Sequence, residues 1–417
     1  MRLVNIIKLL ILSILISNCK DEKKTTTTKV TKIDFSESYK SVGKIDLSEI
    51  AAKIEYIPLE STSSLILDEI DKPDENIKFF NNSLLIRDRS DELYMFNLSG
   101  KFLNKIGSKG KGPEEYPQIQ NIEILSQKKL IAVYSSMLNK VLLYKIDGSF
   151  YKDFKIDFWP LGLVSFKDDL IFANTLGIRN YSDYNTLSFV STDGKIKAQG
   201  LHKSKEIDLQ NKIKLGVTNF KDSGYPINNK YHYFENSSYE KDIVYEINSN
   251  YNIIPKYEIE IGGVKLPLEK HTQSNLSDFE QIIKFNKIES FFETTNDMFI
   301  SVYYAQDKHL HNIYYNKTNN ESKSVKFRKT SGGGFIFGFN NDIDGGLPFW
   351  PDGRISEDKL YMLINGYVLK DYLARKKINS DKKQQHFVDN NLNKISENSK
   401  IADNPILVIV TLKDKHK

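Results

Sequence analysis

Three features of the sequence predict an all-β fold, and within it a six-bladed β-propeller. A β-hairpin recurs about every 47 residues. Between its copies run short apolar stretches broken by Asn, Asp, Gly and Ser, which read as strands with tight turns. A spare strand stands near each end of the repeats, ready to close a ring. Each repeat makes a sheet that cannot cover both of its own faces, so neighbouring repeats must stack.

The first twenty residues come before that fold. Arg2 and Lys8 precede the apolar run Leu9 to Ile16, which has the length of a signal-peptide core and is short for a membrane span. The run ends at Ile16-Ser17-Asn18-Cys19, which resembles the lipobox of bacterial lipoproteins. Cys19 is the only cysteine of 417 residues, so no internal disulfide and no multi-cysteine metal site is open to it. Residues 1–18 are therefore expected to be a lipoprotein signal peptide and Cys19 the lipidated first residue of the mature chain. Losing Arg2 and Lys8 lowers the formal charge from +5 to +3. So small an excess gives no reason to expect a nucleic-acid partner. Residues 19–44 are expected to form the lipidated Cys and a tether, polar throughout its early part. Lys20-Asp21-Glu22 resembles the short charged signal that places lipoproteins of Bacteroidota on the outer face of the outer membrane, with a periplasmic orientation as the alternative.

Residues 45–417 are assigned to the propeller. Its hairpins run from Leu93 to Leu103, from Val141 to Tyr151 and from Leu187 to Lys197, turning at Gly100, Gly148 and Gly194, which are 48 and 46 residues apart. Asp-Gly at such a turn suits a two-residue loop in which both central residues take positive φ. Weaker copies turn at Ser249-Asn250 and at Asn319-Asn320, and a last unit lies near Lys359 to Leu369. The wide spacing before the fifth copy is an insertion, and helical spacing of Leu276, Phe279, Ile282 and Ile283 predicts one helix within 267–290. A polar, partly helical excursion over 376–403 precedes the strand Pro405 to Leu412. That strand and Ile54 to Leu59 are expected to close the ring. Two β-sandwiches would show turns every 8–12 residues without the longer repeat.

Four ordered stretches carry a family resemblance. Ile54-Glu55-Tyr56-Ile57-Pro58-Leu59-Glu60 is similar to an opening I-x-Y-I-P-L-E. Gly110-Lys111-Gly112-Pro113-Glu114-Glu115-Tyr116 is similar to a G-x-G-P-x-E-Y loop. Asn341-Asp342-Ile343-Asp344-Gly345-Gly346 is similar to a late N-D-I-D-G-G loop, and Asn404-Pro405-Ile406-Leu407-Val408-Ile409 to a closing strand. Together they resemble the six-bladed β-propeller lipoproteins of Bacteroidota. The resemblance implies a cell-envelope propeller of unassigned role, often linked with nutrient capture, and it implies no catalytic set.

Candidate ligand-binding residues follow from loop chemistry. Glu114 and Tyr116 offer acceptors and an aromatic ring in a connection between blades, beside Glu115, though the same glycines and Pro113 suit a purely structural loop. Asn340, Asp342 and Asp344 alternate as oxygen donors before Gly345, the first spacing of a calcium loop. Pro351 stands where the bidentate Glu of an EF-hand belongs, so only a looser Ca²⁺ or sugar loop is open, with Trp350 as a stacking ring. No cofactor is otherwise expected. Gly332-Gly333-Gly334 lacks the Lys-Ser/Thr of a phosphate loop. His309 and His311 share one side of a strand without an identifiable third ligand. Asp168-Asp169 reads as turn residues. The expected function is a non-enzymatic propeller, anchored in the outer membrane, that binds a glycan, peptide or envelope protein at its axial funnel. The alternative is a propeller enzyme acting on carbohydrate as a lyase or hydrolase, because fold alone does not fix function.

Overall fold

The computed structural model describes residues 30–157, 160–174, 184–203, 223–228, 230–235, 242–263, 285–326, 328–329, 335–380 and 388–414. Residues 1–18, expected to be the signal segment, Cys19 and Gly332-Gly333-Gly334 lie outside them. Six antiparallel sheets of the expected propeller follow one another. Blade 1 comprises Ile77–Phe80, Ser83–Arg87, Leu93–Asn97 and Phe102–Lys105. Blade 2 comprises Asn121–Leu125, Leu130–Ser135, Lys140–Lys145 and Phe150–Lys155. Blade 3 comprises Pro160–Phe166, Asp169–Asn174, Tyr184–Val190 and Ile196–Lys203. Blade 4 comprises Ser223–Ile227, Lys230–Glu235, Asp242–Ile247 and Ile253–Glu260. Blade 5 comprises Lys287–Glu293, Asp297–Tyr304, His309–Asn316 and Glu321–Lys326.

Blade 6 is built from both ends of the repeat region. Gly353–Arg354, Lys359–Ile364 and Ile406–Leu412 supply three strands, and Ala51–Pro58 adds the outermost one. The register sets Ala51 against Leu412 and Pro58 against Ile406. The expected closure by residues from both termini is therefore present.

The core is divided among the blade interfaces. Apolar clusters fill the junctions of blades 1 and 2 around Ile131 and Tyr144, 2 and 3 around Tyr134 and Phe172, and 3 and 4 around Phe166 and Tyr233. Others fill the junctions of blades 4 and 5 around Phe234 and Ile300, 5 and 6 around Phe299 and Trp350, and 6 and 1 around Phe96 and Leu407. Aromatic rings meet edge to face across these seams, as Tyr134 and Phe172 do at 6.2 Å and 80°. Such pairs prefer this geometry because a ring's positive edge meets a negative face.

The hairpin turns differ from the expected two-residue type. In blade 1, Gly100 N–H donates to Asn97 O and Asn97 N–H to Lys101 O, both at 2.9 Å. Of the turn residues only Gly100 has positive φ, at 86°. The pairing slips at Met95/Phe96, so this is a three-residue loop ending in a glycine bulge. Asn97 Oδ1 accepts the amides of Ser99 and Lys101, which holds the chain in the ordinary right-handed turn and leaves one left-handed position. In blades 4 and 5 Tyr251 and Asn320 occupy that position, with φ of 61° and 59°.

Three further expectations change. The tether was expected to reach residue 44, but Thr31–Asp34 pairs in parallel with Ile253–Glu260 as a fifth strand of blade 4. Phe35, Ile45, Leu47 and Ile50 are buried, because the rims of blades 4, 5 and 6 leave apolar edges that these side chains cover. Val42 bridges to Ser324 in blade 5, so residues 31–50 form a strap along three rims. Second, the helix expected within 267–290 falls largely on 264–284, outside the described residues, and Lys287–Glu293 is a strand. Third, the excursion before the closing strand holds two helices, Gly366–Ser380 and Asn390–Asn398, the first starting ten residues before the expected boundary of 376. Leu369 and Leu373, four residues apart on one helix face, are buried with Leu392 against blade 6.

The strap is held chiefly by Phe35, whose ring meets Tyr315 at 5.6 Å and whose carbonyl accepts the Tyr304 hydroxyl at 2.5 Å. Phe35→Ala is expected to lower unfolding stability by about 3–5 kcal/mol, measured by chemical denaturation. It should also speed trypsin cleavage at Lys40 and Lys44 relative to the wild type, measured by timed digestion.

Candidate functional site

The anticipated ligand residues do not form one site. Glu114 and Tyr116 lie at the junction of blades 1 and 2, and Asp342, Asp344 and Trp350 at that of blades 5 and 6. Tyr116 is fully buried, and its hydroxyl donates to Ile106 O at 3.0 Å. Burial raises its pKa above the usual phenol value. Glu115 folds back onto its own loop, accepting Gly112 N–H at 2.8 Å. Glu114 alone leaves its carboxylate exposed, while its carbonyl accepts the Tyr144 hydroxyl at 2.8 Å.

The late loop is likewise a clasp. Asp342 accepts Ser48 N–H at 2.9 Å and the Ser48 hydroxyl at 2.5 Å, which ties it to the strap. Asn340 Nδ2 donates to Asp46 at 2.6 Å. Asp344 accepts from Asn341 Nδ2 at 2.7 Å, Gly346 N–H at 2.9 Å and the Tyr56 hydroxyl at 3.3 Å. Burial raises its pKa against those bonds. The carboxylates of Asp342 and Asp344 are therefore turned toward protein donors, and the Asn340 amide is spent on Asp46. Trp350 stacks on Phe339 at 5.8 Å and 15° within the core, only 5% exposed. Among the described residues no group of three or more His, Cys, Asp or Glu is placed to hold a metal. His311 is buried, bonding Asp307 at 2.7 Å and Ser324 at 3.2 Å.

The ring places other side chains at its axis. The innermost strand of each blade borders it, and Arg354 on that strand of blade 6 reaches across. Its guanidinium donates to Glu293 O of blade 5 at 2.9 Å and Pro226 O of blade 4 at 2.8 Å. It also lies 5.0 Å from the centre of the Tyr225 ring. One turn later Glu357 accepts Asn228 N–H at 3.0 Å and the Thr295 hydroxyl at 2.7 Å. Blades 4, 5 and 6 are thus cross-linked at the end of the axis where the first strand of each blade turns into the second.

Behind Arg354 runs a buried polar chain. Glu293 is fully buried and bonds His232 Nδ1 and, at 2.9 Å, Lys317 Nζ. Burial opposes the Glu293 charge, but His232 and Lys317 together hold its pKa below the usual carboxylate range. Lys256 meets His232 Nε2 at 2.9 Å, and burial lowers the Lys256 pKa. Sequence reading missed this group because the partners of Arg354 stand 61 and 128 residues away and no local motif marks them. The one available signal was charge at positions of otherwise apolar strands.

At the same end, a cavity of about 590 Å³ opens among blades 2, 3 and 4. Ser126, Gln127, Lys167 and Lys230 line it from the first turns of those blades, with Asn248 and Ser249 from the outer turn of blade 4. Lys230 pairs with Glu246 at 3.1 Å on its wall. Tyr231 lines it too; it is 8% exposed and its hydroxyl has no partner among the described residues. The anticipated ligand loops leave from the opposite end of their sheets. There the axis carries Asp352, whose Oδ2 accepts Leu363 N–H at 2.7 Å. Burial pushes its carboxyl up to about 7, with Asp74 nearby adding to the rise.

Two outcomes are expected from this geometry. Asp342→Ala should destabilise by about 1 kcal/mol through loss of the Ser48 contacts, and adding Ca²⁺ should leave the melting temperature of the wild type unchanged. For Asp352 the folded state binds its proton more tightly than the unfolded chain. Its contribution is therefore full at about pH 4 and is lost as pH rises through about 7. Asp352→Asn keeps the acceptor for Leu363 and should flatten that part of the stability–pH profile, raising stability at about pH 8.

Comparison with known proteins agrees with the architecture. A solved structure from Bacteroides fragilis NCTC 9343, an exported protein by its provisional description, superposes with a TM-score of 0.65 at 18% identity. The match covers 93% of this chain and all of that one. A member of the DUF4221 family from Bacteroides vulgatus is more distant, with a TM-score of 0.48 at 9% identity over 87% of this chain and 97% of its own. No functionally curated protein matches the sequence. Residues 30–411 match the family described as Domain of unknown function (DUF4934), and the chain belongs to that family.

Proposed function

We propose that this protein is a lipid-anchored propeller of the cell envelope that binds a partner at the turn end of its axis without turning it over. The observation that carries the reading is the cavity among blades 2, 3 and 4, bounded by the cross-linked axis of blades 4 to 6. A rigid ring with an open, mixed polar and apolar recess is the usual form of a binding site. The rings at its wall are buried, Phe166 at 2% and Tyr231 at 8% exposure, so they offer edges and no open face on which to stack a sugar. Ser126, Gln127 and Ser165 offer hydrogen bonds suited to an extended peptide or a protein loop. A peptide-like partner is therefore favoured over a glycan.

Anchoring is supported by the basic start, the apolar run Leu9 to Ile16 and Cys19, and export by the description of the Bacteroides fragilis relative. Lys20-Asp21-Glu22 supports the outer face of the outer membrane. Peptide and glycan arrays, with product analysis of every hit, test the binding reading. Peptide hits should bind unchanged, and Gln127→Ala/Lys230→Ala should weaken them by about tenfold, the loss of roughly 1.4 kcal/mol. Chemical conversion of a hit would overturn this reading in favour of a carbohydrate-acting lyase or hydrolase, or another enzyme.

A further inference from the structure

From the course of the strap we infer that the ring stands with the rim of blade 4 toward the membrane and the rim of blade 1 away from it. The inference rests on the anchoring reading above. Residue 31 is already bound: Thr31 pairs with Tyr257, Lys32 with Glu258 and Ile33 with Ile259 on the outermost strand of blade 4. Ile33 and Phe35 are buried there, so this attachment is part of the fold. Between Cys19 and Thr31 the chain can span at most about 40 Å, whatever its conformation, since each residue adds roughly 3.3–3.6 Å. A tether reaching residue 44 would span about twice that distance and leave the ring free to present any side.

The ring is wide on this scale. Four strands about 4.8 Å apart on each side of a central channel give a diameter of roughly 45–50 Å. Blade 1 lies opposite blade 4, three blades away in either direction. A leash of at most about 40 Å, fixed at the rim of blade 4, does not let the rim of blade 1 become the membrane-facing edge. Direction adds to length. Thr31–Asp34 runs parallel to Ile253–Glu260, so the chain before Thr31 approaches from the side of the turn at 248–251. Asn248 and Ser249 of that turn line the cavity. The cavity is thereby held on the membrane side of the ring, where a ligand can pass between it and a protein in the membrane. Exposed apolar side chains on the connections between second and third strands, Met137 at 68% in blade 2 and Ile401 at 84% in blade 6, sit at the other end of their sheets.

The test separates geometry from acylation. The chain from Cys19 onward is coupled through the Cys19 thiol to a maleimide lipid in phosphatidylcholine vesicles carrying a headgroup energy acceptor. A donor dye is placed through an encoded azide residue at Asn250, in the turn of blade 4, or at Leu103, 46% exposed on the outer strand of blade 1. Energy transfer from position 250 should exceed that from position 103 by about threefold or more. Inserting about 30 Gly and Ser residues between residues 29 and 30 should collapse the difference. Equal or reversed transfer in the unextended chain overturns the inference. So does a difference that survives the insertion, because surface attraction and not the short leash would then set the orientation. Mass spectrometry of the protein extracted from membranes answers the other question: an unmodified Cys19 there overturns the anchoring reading, while the vesicle result still judges the geometry.

Discussion

Everything in this fold depends on one constraint: each four-stranded blade is apolar on both faces, so no blade is covered until both neighbours are in place. The buried residues form wedges at the junctions between blades, with no common centre. A row of such wedges has two uncovered ends unless it becomes a ring. Pairing Ala51–Pro58 with Ile406–Leu412 joins those ends, and it places residues from opposite ends of the chain in one sheet. The same pairing removes two exposed strand edges that would otherwise template aggregation.

Three of the four stretches that carry the family resemblance converge on this closure. Tyr56 of the opening stretch bonds Asp344 and Asn341 of the late loop. Asn404, which begins the closing stretch, donates to Glu60 O at 2.7 Å and accepts Leu67 N–H at 2.8 Å. Glu60 in turn accepts Phe102 N–H of blade 1 at 2.9 Å. These polar residues satisfy the backbone where the chain crosses from blade 6 to blade 1, a place where an unpaired amide or carbonyl would cost free energy. Asp342 and Asn340 extend the clasp to the strap. The family pattern thus marks how the ring is locked more than what it binds. The axis and its cavity are built from residues outside those stretches.

The sequence displayed its repeat because turn chemistry is local. Gly100, Gly148 and Gly194 each supply a left-handed residue that the hairpin geometry needs, and Tyr251 and Asn320 stand at the same place where the copy looks weaker. It did not display the strap. Residues 31–50 have no strong period of their own and become ordered only because the rims of blades 4, 5 and 6 offer apolar edges to Phe35, Ile45 and Leu47. Polar residues in loops looked like ligand donors for a related reason. Asp342 as an N–H acceptor and Asp342 as a metal ligand are the same residue type in the same turn, and only the position of Ser48, 294 residues away, separates them.

The sequence by itself determined the blade count, the closure by strands from both ends and the lone cysteine placed after an apolar run, because each is marked by a turn or an apolar run that can be read within a few positions. Only the tertiary structure decided which polar residues are clasps, which reach the axis and where the chain is tied to the ring. Arg354, Glu293 and Pro226 meet because three separate blades bring their innermost strands together, and Thr31 meets Tyr257 because the ring has closed. Contacts of that separation leave no spacing to read. They exist only once the apolar faces of all six blades have been covered.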